Sequence, residues 1–339
     1  MKKQTKIKQA QYLILKVVYL FTMKQLIYFL LFISTTSFSQ NFEKVDAIVL
    51  EYPRFTKVED LATKIADDFT SDENKARAAF FWIAKNIRYN LKEFYNPKQR
   101  SYNFRYSTEE ERTQKLQALK DKIITKAFIT KTGVCEEYAQ IFKKVCDLLG
   151  IEAEVIKGNA RTNPKEIGKP KRGTNHAWNA VKLNGKWIIL DATWAAGYEM
   201  NGKWIRNFEN YFYNIPKNKI FKTHLPEDST WVLRFGRISL QEFYNQPIYG
   251  KTFLSSKAEL ISPKKGILKV NSSNEIKLKI KNLDSNSLIY YTFEGQQNAK
   301  KPLISIIDKT TTLTIRNAKK NSVLTLYINR RSALHFKTK

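Results

Sequence analysis

The hydrophobic period of the chain changes once, near Gly150, and that change limits the fold more than any other feature. Before it, apolar residues recur at helical spacing; after it, they come in short runs bounded by turn residues. Val58, Leu61, Ala62, Ile65, Ala66 and Phe69 share one helical stripe. Ser71-Asp72-Glu73, a capping residue followed by acids, opens a second helix that carries Ala76, Ala79, Phe80, Ile83 and Ile87. Residues 91–108 read as a polar, aromatic loop. A third helix is predicted from Glu109 to Ala127, with Leu116, Leu119 and Ile123 inward. Gly133 breaks the chain, and a fourth helix begins at or just after Cys135. Its core face is Tyr138, Ala139, Phe142, Val145, Cys146 and Leu149, and Gly150 supplies its stop.

Beyond Gly150 the pattern is strand-like. Ala153 to Ala160 is a strand candidate, and residues 161–175 form a Pro/Gly/Lys loop. Residues 176–183 and 186–193 read as two strands joined by Asn184-Gly185, the strongest local signal for a two-residue type I′ hairpin. Helices followed by strands specify an α+β domain, expected over residues 40–235. Residues 236–257 read as a linker. Residues 258–339 are all strand and turn: Ile276, Leu278 and Ile280 alternate with Lys277, Lys279 and Lys281, and further apolar runs follow at short intervals. That pattern predicts a C-terminal all-β, sandwich-like domain of immunoglobulin-like size.

Hydrophobic residues make up 42% of the 339 residues and aromatics 13%, enough for a packed core. The net charge of +28 would attract anionic partners. The lysines are scattered rather than clustered, as on a solvated surface, and no specific nucleic-acid motif accompanies them. An anionic envelope polymer is the alternative partner. Met23-Lys24-Gln25, the apolar run Leu26 to Ile33 and the small polar stretch after it read as a secretory signal peptide, so residues 1–39 are expected to be an extension and leader. Translation starting at Met23 is the simplest account of residues 1–22, and an uncleaved N-terminal anchor is the alternative. The apolar run is too short to span a bilayer, and no other span is expected. The product is expected to be periplasmic or secreted.

The chain has two cysteines, Cys135 and Cys146. On one helix they stand about 16 Å apart in rise, whereas a disulfide needs Cα atoms within about 7 Å. Cys146 lies inside the apolar stripe and reads as core. Cys135 sits at a helix start, where the helix dipole favours the thiolate. A thiolate that attacks an amide needs a proton donor for the leaving amine, and a His held by a carboxylate supplies it. There are three histidines. His224 precedes a proline and reads as a loop residue; His335 reads as structural, in the final strand. His176 begins the predicted hairpin. With Leu183 paired to Lys186, His176 faces Thr193 and Trp178 faces Asp191, so His176 and Asp191 are diagonal neighbours on one face, about 7–8 Å apart. A slip of one residue would put them on opposite faces. Asp191 is alternatively a capping residue before Ala192-Thr193. So few His and Cys, with no ligand spacing, point to no metal and no other cofactor.

The segments TGVCEEYAQIFKKVCDLLGIEAEVIKG and NHAWNAVKLNGKWIILDATWAAG, with FFWIAKNIRYN upstream and NYFYNIP and THLPEDSTWVLR downstream, resemble the transglutaminase-like superfamily. The closer similarity is to its bacterial members related to kyphoscoliosis peptidase. The resemblance covers about residues 60–235. It implies a papain-like α+β core with Cys135 as nucleophile, His176 as general base and acid, and Asp191 as the carboxylate that orients it. It implies a protein or peptide substrate whose amide bonds are attacked through an acyl-enzyme. Hydrolysis, by a peptidase or deamidase, is the favoured outcome; cross-linking by an amine acceptor, or a non-catalytic binding or scaffold role, are the alternatives. Nothing matches a calcium site. The C-terminal domain lies outside the resemblance and is expected to position the enzyme rather than take part in chemistry.

Overall fold

The computed structural model describes residues 42–97 and 104–339. The signal peptide expected over 1–39 lies outside them. The first half is helical: α1 (Glu43–Leu50), α2 (Val58–Asp68), α3 (Asp72–Asn86), the two-residue strand β1 (Arg88–Tyr89), α4 (Leu91–Tyr95), α5 (Glu109–Thr130), β2 (Thr132–Gly133) and α6 (Cys135–Leu148). Helix starts follow the capping chemistry. Ser71 Oγ accepts from Asn74 N and Thr108 Oγ1 from Glu111 N, with acids in both first turns. α5 runs to Thr130, beyond the predicted Ala127, and ends where Lys131 takes a left-handed conformation, φ 53°. The stretch predicted as loop contains the short helix α4, started by Asn90, whose side chain accepts from Glu93 N. Every residue of α3 from Ala76 to Ala84 is buried. Trp82 of this helix stacks on Phe128 of α5 at 5.0 Å. Both cysteines are free thiols on α6. Among the described residues no helix is long and apolar enough to cross a membrane.

The sheet beneath α6 comprises β3 (Ala153–Ala160), β4 (His176–Leu183) and β5 (Lys186–Leu190). Asn184 and Gly185 both take positive φ, 49° and 73°, as a type I′ turn requires, and Leu183 pairs with Lys186. β5 stops at Leu190 rather than 193. Asp191 turns the chain into α7 (Ala192–Ala196), where its Oδ1 accepts from Trp194 N at 2.9 Å. A small hairpin, β6 (Gly197–Met200) and β7 (Lys203–Arg206), follows. β8 (His224–Pro226) completes an antiparallel sheet ordered β5-β4-β3-β8. Gly158 lies where three strands meet, opposite His176 on β4 and Pro226 on β8. A Cβ there would stand 2.2 Å from Leu225 O, so only glycine lets β8 close against β3.

After β8 come α8 (Ser229–Phe235), α9 (Leu240–Asn245), β9 (Ile248–Tyr249) and α10 (Lys251–Ser255), so the stretch read as a linker is structured. The β-rich region adds β10 (Glu259–Ser262), β11 (Ile267–Leu268), β12 (Ile276–Lys281), β13 (Ile289–Phe293), β14 (Leu303–Ile307), β15 (Thr310–Ile315), β16 (Val323–Ile328) and β17 (Arg331–Thr338). They form two sheets, β10-β12-β15-β14 and β11-β17-β16-β13, and β9 pairs with β17. Ile276, Leu278 and Ile280 point inward and Lys277, Lys279 and Lys281 outward. The two sheets share one apolar core that includes Leu278, Leu313, Leu326 and Phe336. The molecule is therefore α+β, with a helical and mixed first part and a C-terminal β-rich region. Residues 45–339 hold together as one unit.

Candidate active site

The segment before Cys135 is fixed from both sides. Arg88 N donates to Lys131 O and Asn90 N to Gly133 O, so β1 holds β2 in place. Glu137 folds back over Gly133 and accepts from Val134 N at 2.8 Å; a Cβ at Gly133 would meet Glu137 Cβ at 2.6 Å. Cys135 is thus set as the first residue of α6, half-buried. Its backbone N–H lies in the first turn, where no intrahelical acceptor exists.

His176 opens β4, and Asp191 follows β5. The His176–Asp191 contact expected from the hairpin count is present as a hydrogen bond, His176 Nε2–H donating to Asp191 Oδ2 at 2.7 Å, although the ladder ends at Asn179–Leu190 and the expected His176–Thr193 and Trp178–Asp191 strand pairs do not form. The Cys135 thiol lies beside His176, close enough to favour the protonated imidazole. Because Nε2 is committed to Asp191, Nδ1 is the ring nitrogen left for the thiol. The structure therefore brings Cys135, His176 and Asp191 together from α6, β4 and the start of α7.

A fourth residue joins them. His224 Nε2–H donates to the same Asp191 Oδ2 at 3.0 Å, and Thr223 Oγ1–H donates to His224 Nδ1 at 2.8 Å. His224 is not the loop residue expected from the proline beside it. It is fully buried, in strand β8. β8 is the outer strand of its sheet, where a proline such as Pro226 is tolerated because its missing N–H breaks no inner ladder. Its signal in the sequence is THLPEDSTWVLR, one of the blocks in the resemblance. Trp178 and Trp194 flank both imidazoles. Trp194 lies 5.6 Å from His176 and 4.6 Å from His224 between ring centroids, and Trp178 lies 5.9 Å and 4.9 Å away.

Burial disfavours a charge on His176. The neighbouring Asp191 carboxylate, the bond to it and the Cys135 thiol outweigh it and push the imidazole up to about 10. Burial likewise opposes ionisation of Asp191, but the two histidines hold its carboxyl below the usual carboxylate range. His224 goes the other way: burial dominates over Asp191 and keeps it below the ordinary imidazole range, hence neutral. Behind the site, Lys251 Nζ donates to Trp194 O and Gly197 O at 2.8 and 3.0 Å. His335 lies in β17, bonded to Thr325 and Ser332, far along the sequence from this cluster.

The ligand-type atoms of His176, Asp191 and His224 lie within 4.8 Å of one another. Both imidazoles, however, direct N–H protons at one carboxylate oxygen. That is a hydrogen-bonded network.

The model of the transglutaminase-like superfamily matches residues 59–192. Residues 59–192 are a transglutaminase-like domain. The match runs from α2 to just past Asp191, so it contains Cys135, His176 and Asp191 and stops short of His224. Among relatives of this domain, the kyphoscoliosis peptidase of Homo sapiens is 24% identical over 228 residues, covering 65% of this chain and 32% of that protein. Hillarin of Drosophila melanogaster is 26% identical over 233 residues, covering 62% of this chain and 25% of that protein. The chain thus matches a third or less of the length of these relatives. A solved structure described as a TGase has a TM-score of 0.28 and 17% identity, covering 54% of this chain and 40% of that one.

Proposed function

We propose that the transglutaminase-like domain is a thiol enzyme that attacks peptide or side-chain amide bonds through Cys135. The observation that carries this reading is the hydrogen-bonded His176–Asp191 pair beside Cys135, with the thiol at a helix start. Cys135 Sγ attacks the amide carbonyl carbon as a thiolate. The negative oxygen that develops faces the Cys135 N–H. His176, protonated at Nδ1, gives that proton to the leaving amine, and the thioester remains. Water then attacks the thioester while His176 takes its proton, the carboxylic acid leaves, and the thiolate with protonated His176 is restored. Asp191 stays ionised throughout and stabilises the imidazolium.

Water is the acceptor we favour, because Cys135 is partly exposed and two relatives bear the name peptidase. We further propose export, on the signal-peptide pattern of residues 23–39. The test is incubation with a glutamine-donor protein, with and without a labelled primary amine. Ammonia release or chain cleavage without amine incorporation is the expected result. Incorporation of the amine would overturn hydrolysis in favour of transfer, and no reaction by wild type, matching Cys135→Ala, would overturn the enzyme reading.

A further inference from the structure

We propose that His224 is a positioning residue for the Cys135–His176 pair, acting through its hydrogen bond to Asp191. The proposal rests on the thiol-enzyme reading and adds a residue beyond the matched domain. Asp191 has two oxygens to hold. Oδ1 is held by Trp194 N at 2.9 Å, and Oδ2 by both His176 at 2.7 Å and His224 at 3.0 Å. The bonds to Trp194 and His224 alone define the plane of the carboxylate. His176 gains and loses a proton in turnover, so its own bond to Asp191 tightens and loosens. With His224 in place the carboxylate does not have to follow, and the His176 ring keeps its aim at the thiol.

Several features of the fold serve this arrangement. His224 is fully buried, and Thr223 fixes its tautomer by donating to Nδ1, which leaves the proton on Nε2 where Asp191 needs it. The ring is wedged between Trp178 and Trp194, the same indoles that bracket His176. Gly158 allows the two histidine strands to flank β3 closely enough to share one carboxylate. Asp191 and His176 are the titratable groups that act on His224. Around them stand Cys135 on α6, Lys251 on α10, Tyr89 on β1 and Tyr138 on α6. A neutral His224 orients Asp191 without competing with His176 for its charge.

The test needs no substrate. Site-resolved alkylation of Cys135 by iodoacetamide is followed from pH 5 to pH 9 in the full chain, for wild type, His176→Ala, His224→Phe, His224→Gln and Thr223→Val, with thermal melts of each. His224→Phe keeps the ring and removes the N–H. It should slow labelling at pH 6 about tenfold and much less at pH 9, moving the acid limb up by about one unit. His224→Gln can donate to Asp191 and accept from Thr223, and should recover to within about threefold. Thr223→Val, the milder change should His224→Phe not fold, should slow labelling at pH 6 about threefold. Labelling of His224→Phe at the wild-type rate, or Phe and Gln variants equally slow while folded, would overturn the proposal alone. Wild-type Cys135 no faster at pH 6 than in His176→Ala would overturn the thiol-enzyme reading, and this proposal with it.

Discussion

Two thiols on one helix meet opposite surroundings. Cys135 is partly exposed at the start of α6 and stands beside His176. Cys146, three turns on, is fully buried, and burial, with Asp147 adding and Lys143 opposing, pushes its thiol well above the usual range. At pH 7 iodoacetamide should therefore modify Cys135 at least about tenfold faster than Cys146, read by peptide mass spectrometry. Cys135→Ala should abolish turnover and leave the melting temperature within a few degrees. Equal, slow labelling of both would contradict this. His176 carries a second prediction. Its folded-state value of about 10 lies above the ordinary 6.5, so its contribution to stability is present in full below pH 6.5. That contribution is lost as the pH climbs from 6.5 toward 10. The unfolding midpoint of wild type should fall across that window, and His176→Ala should flatten the fall. The His176–Asp191 bond was legible in the sequence because a two-residue turn fixes register and register can be counted. His224 was not, because a three-residue outer strand has no period to read.

At the scale of elements, local chemistry sets most boundaries. Ser71 and Thr108 start α3 and α5 as their sequences specify. The hairpin ended early because Asp191 caps α7, and the sequence left capping open as an alternative. Strand β14 departs from the alternation of its neighbours. Leu303, Ile304, Ile306 and Ile307 are all exposed, between 49% and 72%, and β14 is the outer strand of its sheet. An apolar outer strand with no charge inside it is a template for pairing with other chains. Ile304→Lys and Ile306→Lys together should raise the concentration at which the protein begins to aggregate, with little change in the unfolding midpoint. Light scattering and chemical denaturation would check the pair. A large loss of stability would mean that these side chains are packed rather than bare.

At the scale of the molecule, the α+β division and the β-rich C-terminal region follow from the change of period. The ties between them do not, because they run through residues whose sequence surroundings look like loop. Arg161, in the Pro/Gly/Lys stretch, is 1% exposed and donates to Tyr244 O and Gln246 O at 3.1 and 3.3 Å. Lys337 of β17 donates to Lys165 O and Ile167 O. Tyr249, Phe253 and Leu254, from the stretch read as a linker, belong to the apolar core of the two sheets. Lys251, between them, bonds the helix that Asp191 caps, and burial pulls its ammonium down to about 8 against the attraction of Asp191 and Glu209. A dispensable C-terminal domain would allow removal of residues 258–339 with near-normal turnover. These contacts lead to the opposite expectation. Deletion removes β17, which β9 pairs with, and uncovers three large apolar side chains worth about 2 kcal/mol each. The truncated chain should melt well below the full protein, or fail to fold. Lys251→Met keeps the whole chain and removes the bonds to Trp194 O and Gly197 O together with the ammonium's contacts over the Tyr198 and Phe212 rings. It should remain folded and slow Cys135 alkylation several-fold, because α7 then holds Asp191 less firmly. A truncated chain that melts and labels like the full protein would restore the two regions to independence.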